Sequence, residues 1–173
     1  MKQKKCKVCG TEFVPQRTTQ SVCDWKCALE LQHEKAEKKQ KREIREQKQK
    51  LKTKSEYVKE AQASFNRYIR QRDIHLSCIS CGRFHQGQWH AGHYRTTAAA
   101  PQLRFNEDNV HRQCAPCNNH KSGDIVNYRQ ELLNRIGAEK VEKLETNNDS
   151  ASWTVEELVE LKKEYNKKYR ELL

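Results

Sequence analysis

No stretch of this 173-residue chain approaches the run of about 20 apolar residues that a membrane-spanning helix needs, so no membrane span is expected. The basic opening MKQKK leads into CKVCG and not into an apolar segment, which gives no expectation of a secretory leader. Apolar side chains are scarce throughout. Hydrophobic residues make up 35% of the chain against 33% charged, with aromatics at 8%, and the mean hydropathy is −1.12. That scarcity excludes a single large apolar core. The chain must be extended, partly disordered, or held together by something other than hydrophobic burial.

What is plentiful is cysteine and positive charge. Eight cysteines offer metal clips, which stabilise domains too small to do so by burial alone. In the reducing cytoplasm expected for a chain without a leader, CxxC pairs bind metal more often than they form disulfides. Lys and Arg total 34 against 23 Asp and Glu, a net charge of +11. A surface this basic favours a polyanion, and nucleic acid is the commonest one in cells.

Composition divides the chain. Residues 1–30 hold Cys6, Cys9, Cys23 and Cys27 in a turn-rich stretch. Residues 31–54 have almost no large apolar side chains and no Gly or Pro, and read as a basic connector, either a solvated helix or flexible chain. Over 55–77 the apolar residues Tyr57, Ala61, Phe65, Tyr68 and Ile69 recur at three- and four-residue spacing. This predicts an amphipathic helix with Ser55 as its N-cap. Residues 78–129 read as short strands and loops running into a helix that starts near Asp124 and stops at Gly137, and 130–173 as C-terminal helices. AEKVEKLE either continues the first of these or begins another; the last starts at Thr154, with Glu157 completing a capping box.

The cysteines form two quartets. The first is C-x2-C, thirteen residues, then C-x3-C. Such knuckles place four thiolates around one tetrahedral zinc and leave no coordination position open, so the site is structural. The second is Cys78-x2-Cys81, thirty-two residues, then Cys114-x2-Cys117. That gap encloses HAGHYRTT, with His90 and His93, and NEDNVHRQC, with Asn109; Asn118, His120 and Lys121 follow the last cysteine.

The order CxxC, His, Asn, CxxC-Asn, Lys resembles the zinc-braced HNH branch of the ββα-metal (His-metal finger) endonucleases. More closely, AGHYRTTAAAPQLRFNEDNVHRQCAPCNNHKSG resembles the NinG (Rap) recombination proteins of lambdoid phages, over nearly the whole chain. The resemblance implies a small α+β protein: an HNH-like, treble-clef ββα-metal core braced by zinc, with long helices and an N-terminal zinc module. It implies a DNA endonuclease of the bacterial host cytoplasm that cuts branched recombination intermediates such as D-loops and Holliday junctions, working beside phage or host recombination proteins. His93 would be the general base, a role that suits an imidazole titrating near working pH. Asn109 would hold the histidine loop. Asn118, at the start of a helix, would be an amide-oxygen ligand for a catalytic Mg2+ or Mn2+. Many HNH enzymes carry Asp, a second cation ligand, just before this histidine. Here the residue is Gly92, and His90 is the nearest replacement, with His120 another.

Arg95, Arg104, His120 and Lys121 are candidate phosphate contacts, whereas His111, Tyr94 and Phe105 read as structural. The N-terminal module and connector are candidates for contacting a second duplex arm, and the C-terminal helices are compatible with a homodimer. Two other classes use the same charge and cysteines: a non-catalytic zinc-containing DNA-binding adaptor, and a zinc-braced protein-interaction module. Neither explains why His93, Asn109 and Asn118 occur together.

Overall fold

A computed structural model describes residues 2–173 as two compact units, one ending at Lys52 and the other running Thr53–Leu173. The first combines one helix, and the second several, with a two-stranded antiparallel sheet, which makes the chain α+β. Among the described residues, no helix is long and apolar enough to cross a membrane.

In the first unit, β1 (Lys4–Lys5) pairs with β2 (Glu12–Phe13), and the cysteine knuckle forms the turn between them. The turn closes where the Gly10 N–H donates to Cys6 O at 3.0 Å; Gly10 has φ +74°, a conformation without steric cost only for glycine. Helix α1 (Trp25–Lys50) starts at Asp24, whose carboxylate accepts from the Cys27 N–H at 2.8 Å. Residues 31–50, which the sequence leaves open between helix and flexible chain, are therefore helical. Beyond Leu31, which packs on the Cys6, Val22 and Cys27 cluster, α1 buries nothing and is supported by spaced ion pairs such as Lys38–Glu34, Lys41–Glu37 and Arg42–Glu46.

In the second unit, α2 (Lys54–Arg72) begins two residues earlier than a cap at Ser55 would place it. Its cap is Thr53 and not Ser55: the Thr53 N–H donates to Glu56 Oε2 at 2.7 Å. Strands β3 (Trp89–His93) and β4 (Val110–Cys114) pair antiparallel with His90 opposite Gln113 and Gly92 opposite His111. Successive residues face opposite sides of this hairpin, and each side has its own core. On one side Ala91 and Val110 pack with Ala61, Phe65 and Ile69 of α2 and with Leu158 and Tyr165 of α5 (Val155–Glu171). Phe65 meets Tyr165 edge-on with centroids 4.8 Å apart. On the other side Tyr94 packs with Tyr128 and Leu132 of α3 (Ile125–Ile136) and with Val141 and Leu144 of α4 (Ala138–Thr146). Two small cores thus replace the large one that the composition excludes.

The capping box of α5 forms as its sequence predicts: Thr154 Oγ1 accepts from the Glu157 N–H, and Glu157 Oε2 from the Thr154 N–H. Asp124 differs. It precedes α3, but it lies at φ +47° and its carboxylate takes the Asn127 side-chain amide at 2.8 Å instead of capping the backbone. Gly137, at φ +83°, separates α3 from α4, so AEKVEKLE belongs to a helix of its own.

Candidate active site and metal centres

The sulfurs of Cys6, Cys9, Cys23 and Cys27 all lie within 4.8 Å of one another, and so do those of Cys78, Cys81, Cys114 and Cys117. A tetrahedron with Zn–S bonds of about 2.3 Å has edges near 3.8 Å. Sulfur separations of 3.5 Å for Cys9–Cys23, 3.7 Å for Cys23–Cys27 and 4.0 Å for Cys81–Cys114 fit that ion. Both groups could therefore hold zinc. Backbone amides prepare the charge. Burial opposes ionisation of Cys6, but N–H groups of Cys9, Val8 and Cys23 outweigh it and bring that thiol down to about 6. Cys78 is lowered in the same way, against its burial, by the N–H groups of Cys114, Cys81 and Ser80.

The second cluster takes Cys114 from the end of β4, with Trp89 of β3 packed against it, and a cleft of about 600 Å3 runs beside it. His90, His93, Arg104 and Asn118 line this cleft, together with Gln62 of α2 and Gln113 of β4. His93 Nε2 lies 3.0 Å from the carbonyl oxygen of Arg104. A carbonyl only accepts, so Nε2 carries the hydrogen and Nδ1 of the neutral ring keeps its lone pair. Burial lowers the His93 pKa from its ordinary value; the hydrogen bond to Arg104 O works against this and the Arg104 charge with it. At neutral pH the ring is therefore an uncharged base.

Asn109, fully buried, fixes the loop that presents this carbonyl. Its Oδ1 accepts from the Arg95 N–H at 2.9 Å, and its Nδ2 donates to the carbonyls of Arg95 and Leu103, each at 3.1 Å. Loop residues 94–104 are thereby tied at both ends, and Arg104 O follows directly on the second tie.

Asn118 does not begin a long helix. It sits in a π turn, Pro116–His120, and α3 starts only at Ile125. Its Nδ2 donates to Asn119 Oδ1 at 2.9 Å, which leaves Oδ1 as the side-chain atom for a hard ligand. His90 Nε2 is buried without any hydrogen-bond partner. Such an orphan costs free energy unless something unseen satisfies it, and a bound cation would do so. His90 and Asn118 thus have the donor atoms for a divalent ion in this cleft.

The basic residues separate. Arg104 lines the cleft, and its guanidinium meets the neutral Gln62 Oε1 at 3.3 Å with no carboxylate pair among the described residues. Arg95 does not point to a ligand: its Nη1 donates to the carbonyls of Leu144 and Asn147 at 2.8 and 2.6 Å, closing the end of α4. His120 is exposed and outside the cleft. Lys121 lines a different depression with Arg83 and His85, beside the second cysteine cluster. His111 is buried, with Nδ1 3.4 Å from the Tyr128 hydroxyl. Gln62, Asn66 and Gln113 carry no sequence signal for the cleft; only the His90–Gln113 register, once known, points to the last of them.

A family model described as "Bacteriophage Lambda NinG protein" matches residues 1–173. "Protein ninG" of Escherichia phage 933W is 48% identical to the chain, over 98% of it and 94% of that protein. "Protein ninG" of Escherichia phage lambda is 55% identical over 70% of the chain and 60% of that protein, and that of Salmonella phage P22 is 52% identical over the same shares. No solved structure matches at a significant level.

Proposed function

Given that this chain belongs to the NinG family of bacteriophage proteins, we propose that it is a DNA endonuclease of the HNH type, acting on branched recombination intermediates in the host cytoplasm. One observation carries the reading. A neutral imidazole, tethered through Nε2 and open at Nδ1, shares a cleft with an unpaired guanidinium and with two side chains suited to a cation.

The chemistry follows from those atoms. Arg104 draws a phosphodiester into the cleft, since its charge has no carboxylate partner to give up. His93 Nδ1 takes the proton of a water attacking phosphorus in line with the P–O3′ bond, and the Arg104 carbonyl stabilises the imidazolium that forms. Asn109 keeps that carbonyl in place. Mg2+ or Mn2+, held by Asn118 and His90, would supply the positive charge needed on the leaving O3′. The products are a 5′-phosphate and a 3′-hydroxyl. An imidazole ligand favours Mn2+ over Mg2+.

The test is cleavage of labelled linear duplex, single strand, D-loop and four-way junction, with Mg2+, with Mn2+ and without divalent cation. Cation-dependent cutting concentrated on branched DNA is expected. Binding without cutting under every condition would replace the nuclease by a DNA-binding adaptor.

A further inference from the structure

The cleft contains one buried polar group that these steps do not use. Gln113 of β4 is only 1% exposed, yet it lines the cleft. It pairs across the hairpin with His90, and Gly92 lies on the same face two residues further along β3. A Cβ added to Gly92 would stand 2.1 Å from Gln113 Oε1 and 2.9 Å from its Cδ. Residue 92 is therefore glycine because the Gln113 carboxamide occupies the volume where its side chain would begin.

The orientation of that carboxamide is fixed. Gln113 Nε2 donates to Ser80 Oγ at 2.7 Å and to the Gly123 carbonyl at 2.6 Å. The carbonyl requires a donor opposite it, so nitrogen faces Gly123 and Oε1 faces Gly92. No donor among the described residues reaches Oε1. The same face thus carries two unpartnered atoms, an amide oxygen and the buried His90 Nε2.

We propose that Gln113 Oε1 is a ligand of the divalent cation in this cleft, completing with His90 and Asn118 a ligand set that carries no charge. The proposal rests on reading the cleft as a cation-dependent hydrolytic site. An amide oxygen is a hard donor, suited to Mn2+ or Mg2+. Uncharged ligands leave the full charge of the ion for the phosphate, so the ion is held weakly until DNA adds its own oxygens. Ser80, between Cys78 and Cys81, and Gly123 hold the amide, which makes this ligand dependent on the second cysteine cluster.

The experiment titrates Mn2+ into the zinc-loaded full-length protein, following free Mn2+ by electron paramagnetic resonance, with zinc content measured alongside. Wild type is expected to show one saturable Mn2+ site, and Gln113→Ala to weaken it by at least about tenfold. Adding Gly92→Asp to Gln113→Ala, where the amide is gone and only the residue-113 Cβ at 3.0 Å has to give by a few tenths of an ångström, is expected to restore wild-type affinity or better. An aspartate at 92 cannot rebuild the bonds to Ser80 and Gly123, so a merely structural role for Gln113 predicts no such rescue. Wild-type Mn2+ affinity in Gln113→Ala overturns the ligand assignment while leaving the cation site standing. If that variant releases zinc, Gln113→Met keeps the volume without the hard oxygen, and undiminished Mn2+ affinity there overturns it equally. Absence of any saturable site in wild type overturns the cation site and this ligand with it.

Discussion

His93 and His111 stand only eighteen residues apart in sequence and both are uncharged at neutral pH, but for different ends. His93 is half-buried with one nitrogen open to a cleft. His111 is buried in β4 against the Tyr128 hydroxyl, and burial, helped by the Arg72 charge, pushes its pKa down to about 4. The folded protein therefore binds fewer protons at His111 than the unfolded chain does. Stability is lost as pH falls from about 6.5 towards 4, by at most about 3 kcal/mol from this group, and is fully present above that window. Histidine proton resonances followed against pH are expected to show His111 titrating near 4 and His93 below the ordinary 6.5. In cleavage assays the rising limb of the pH–rate profile is expected to follow His93 and to fall below 6.5 as well. The two arginines of the loop between the strands differ as sharply. Arg104→Ala is expected to lower DNA affinity and to reduce the slope of log K against log salt by about 1. Arg95→Ala is expected to leave that slope alone and lower the melting temperature, because it uncaps the carbonyls of Leu144 and Asn147.

Hairpin β3–β4 and the loop between its strands owe their shape to few polar groups. Removing the Asn109 carboxamide strands the Arg95 N–H and the carbonyls of Arg95 and Leu103. At about 1 kcal/mol each, Asn109→Ala is expected to cost on the order of 3 kcal/mol in urea unfolding, with zinc content unchanged and cleavage reduced. Much of this part was legible beforehand. The cysteine spacings give the two clusters, apolar periodicity gives α2, the Thr154–Glu157 capping box gives the start of α5, and Gly137 marks the break after α3. Other features were hidden for identifiable reasons. Thr53 outcompetes Ser55 as cap because Glu56 lies three residues after it, a reciprocal pairing that the apolar pattern does not weigh. The π turn holding Asn118 has no periodicity to betray it. Gln113 becomes visible only through strand register, since side chains meet across a hairpin by pairing and not by sequence distance.

Across the whole molecule, two cysteine clusters and two small cores do the work that the composition denies to a single large one. Mass spectrometry under native conditions is expected to find two zinc ions per chain, and strong chelation to unfold the chain, as in other metal-dependent small domains. A chain that keeps its near-ultraviolet dichroism after losing both ions would show that the clusters are dispensable for the fold. The charge of +11 serves the same reading from outside: binding to DNA is expected to fall steeply with salt, whereas a protein-interaction module would not show that dependence. The most direct measurement compares wild type with His93→Ala on a labelled four-way junction in Mn2+. Cutting by wild type, with a 5′-phosphate at the nick, and its loss in a variant that still binds DNA and keeps both zinc ions, is expected. Equal cutting by the two proteins would remove His93 as the base and contradict the mechanism.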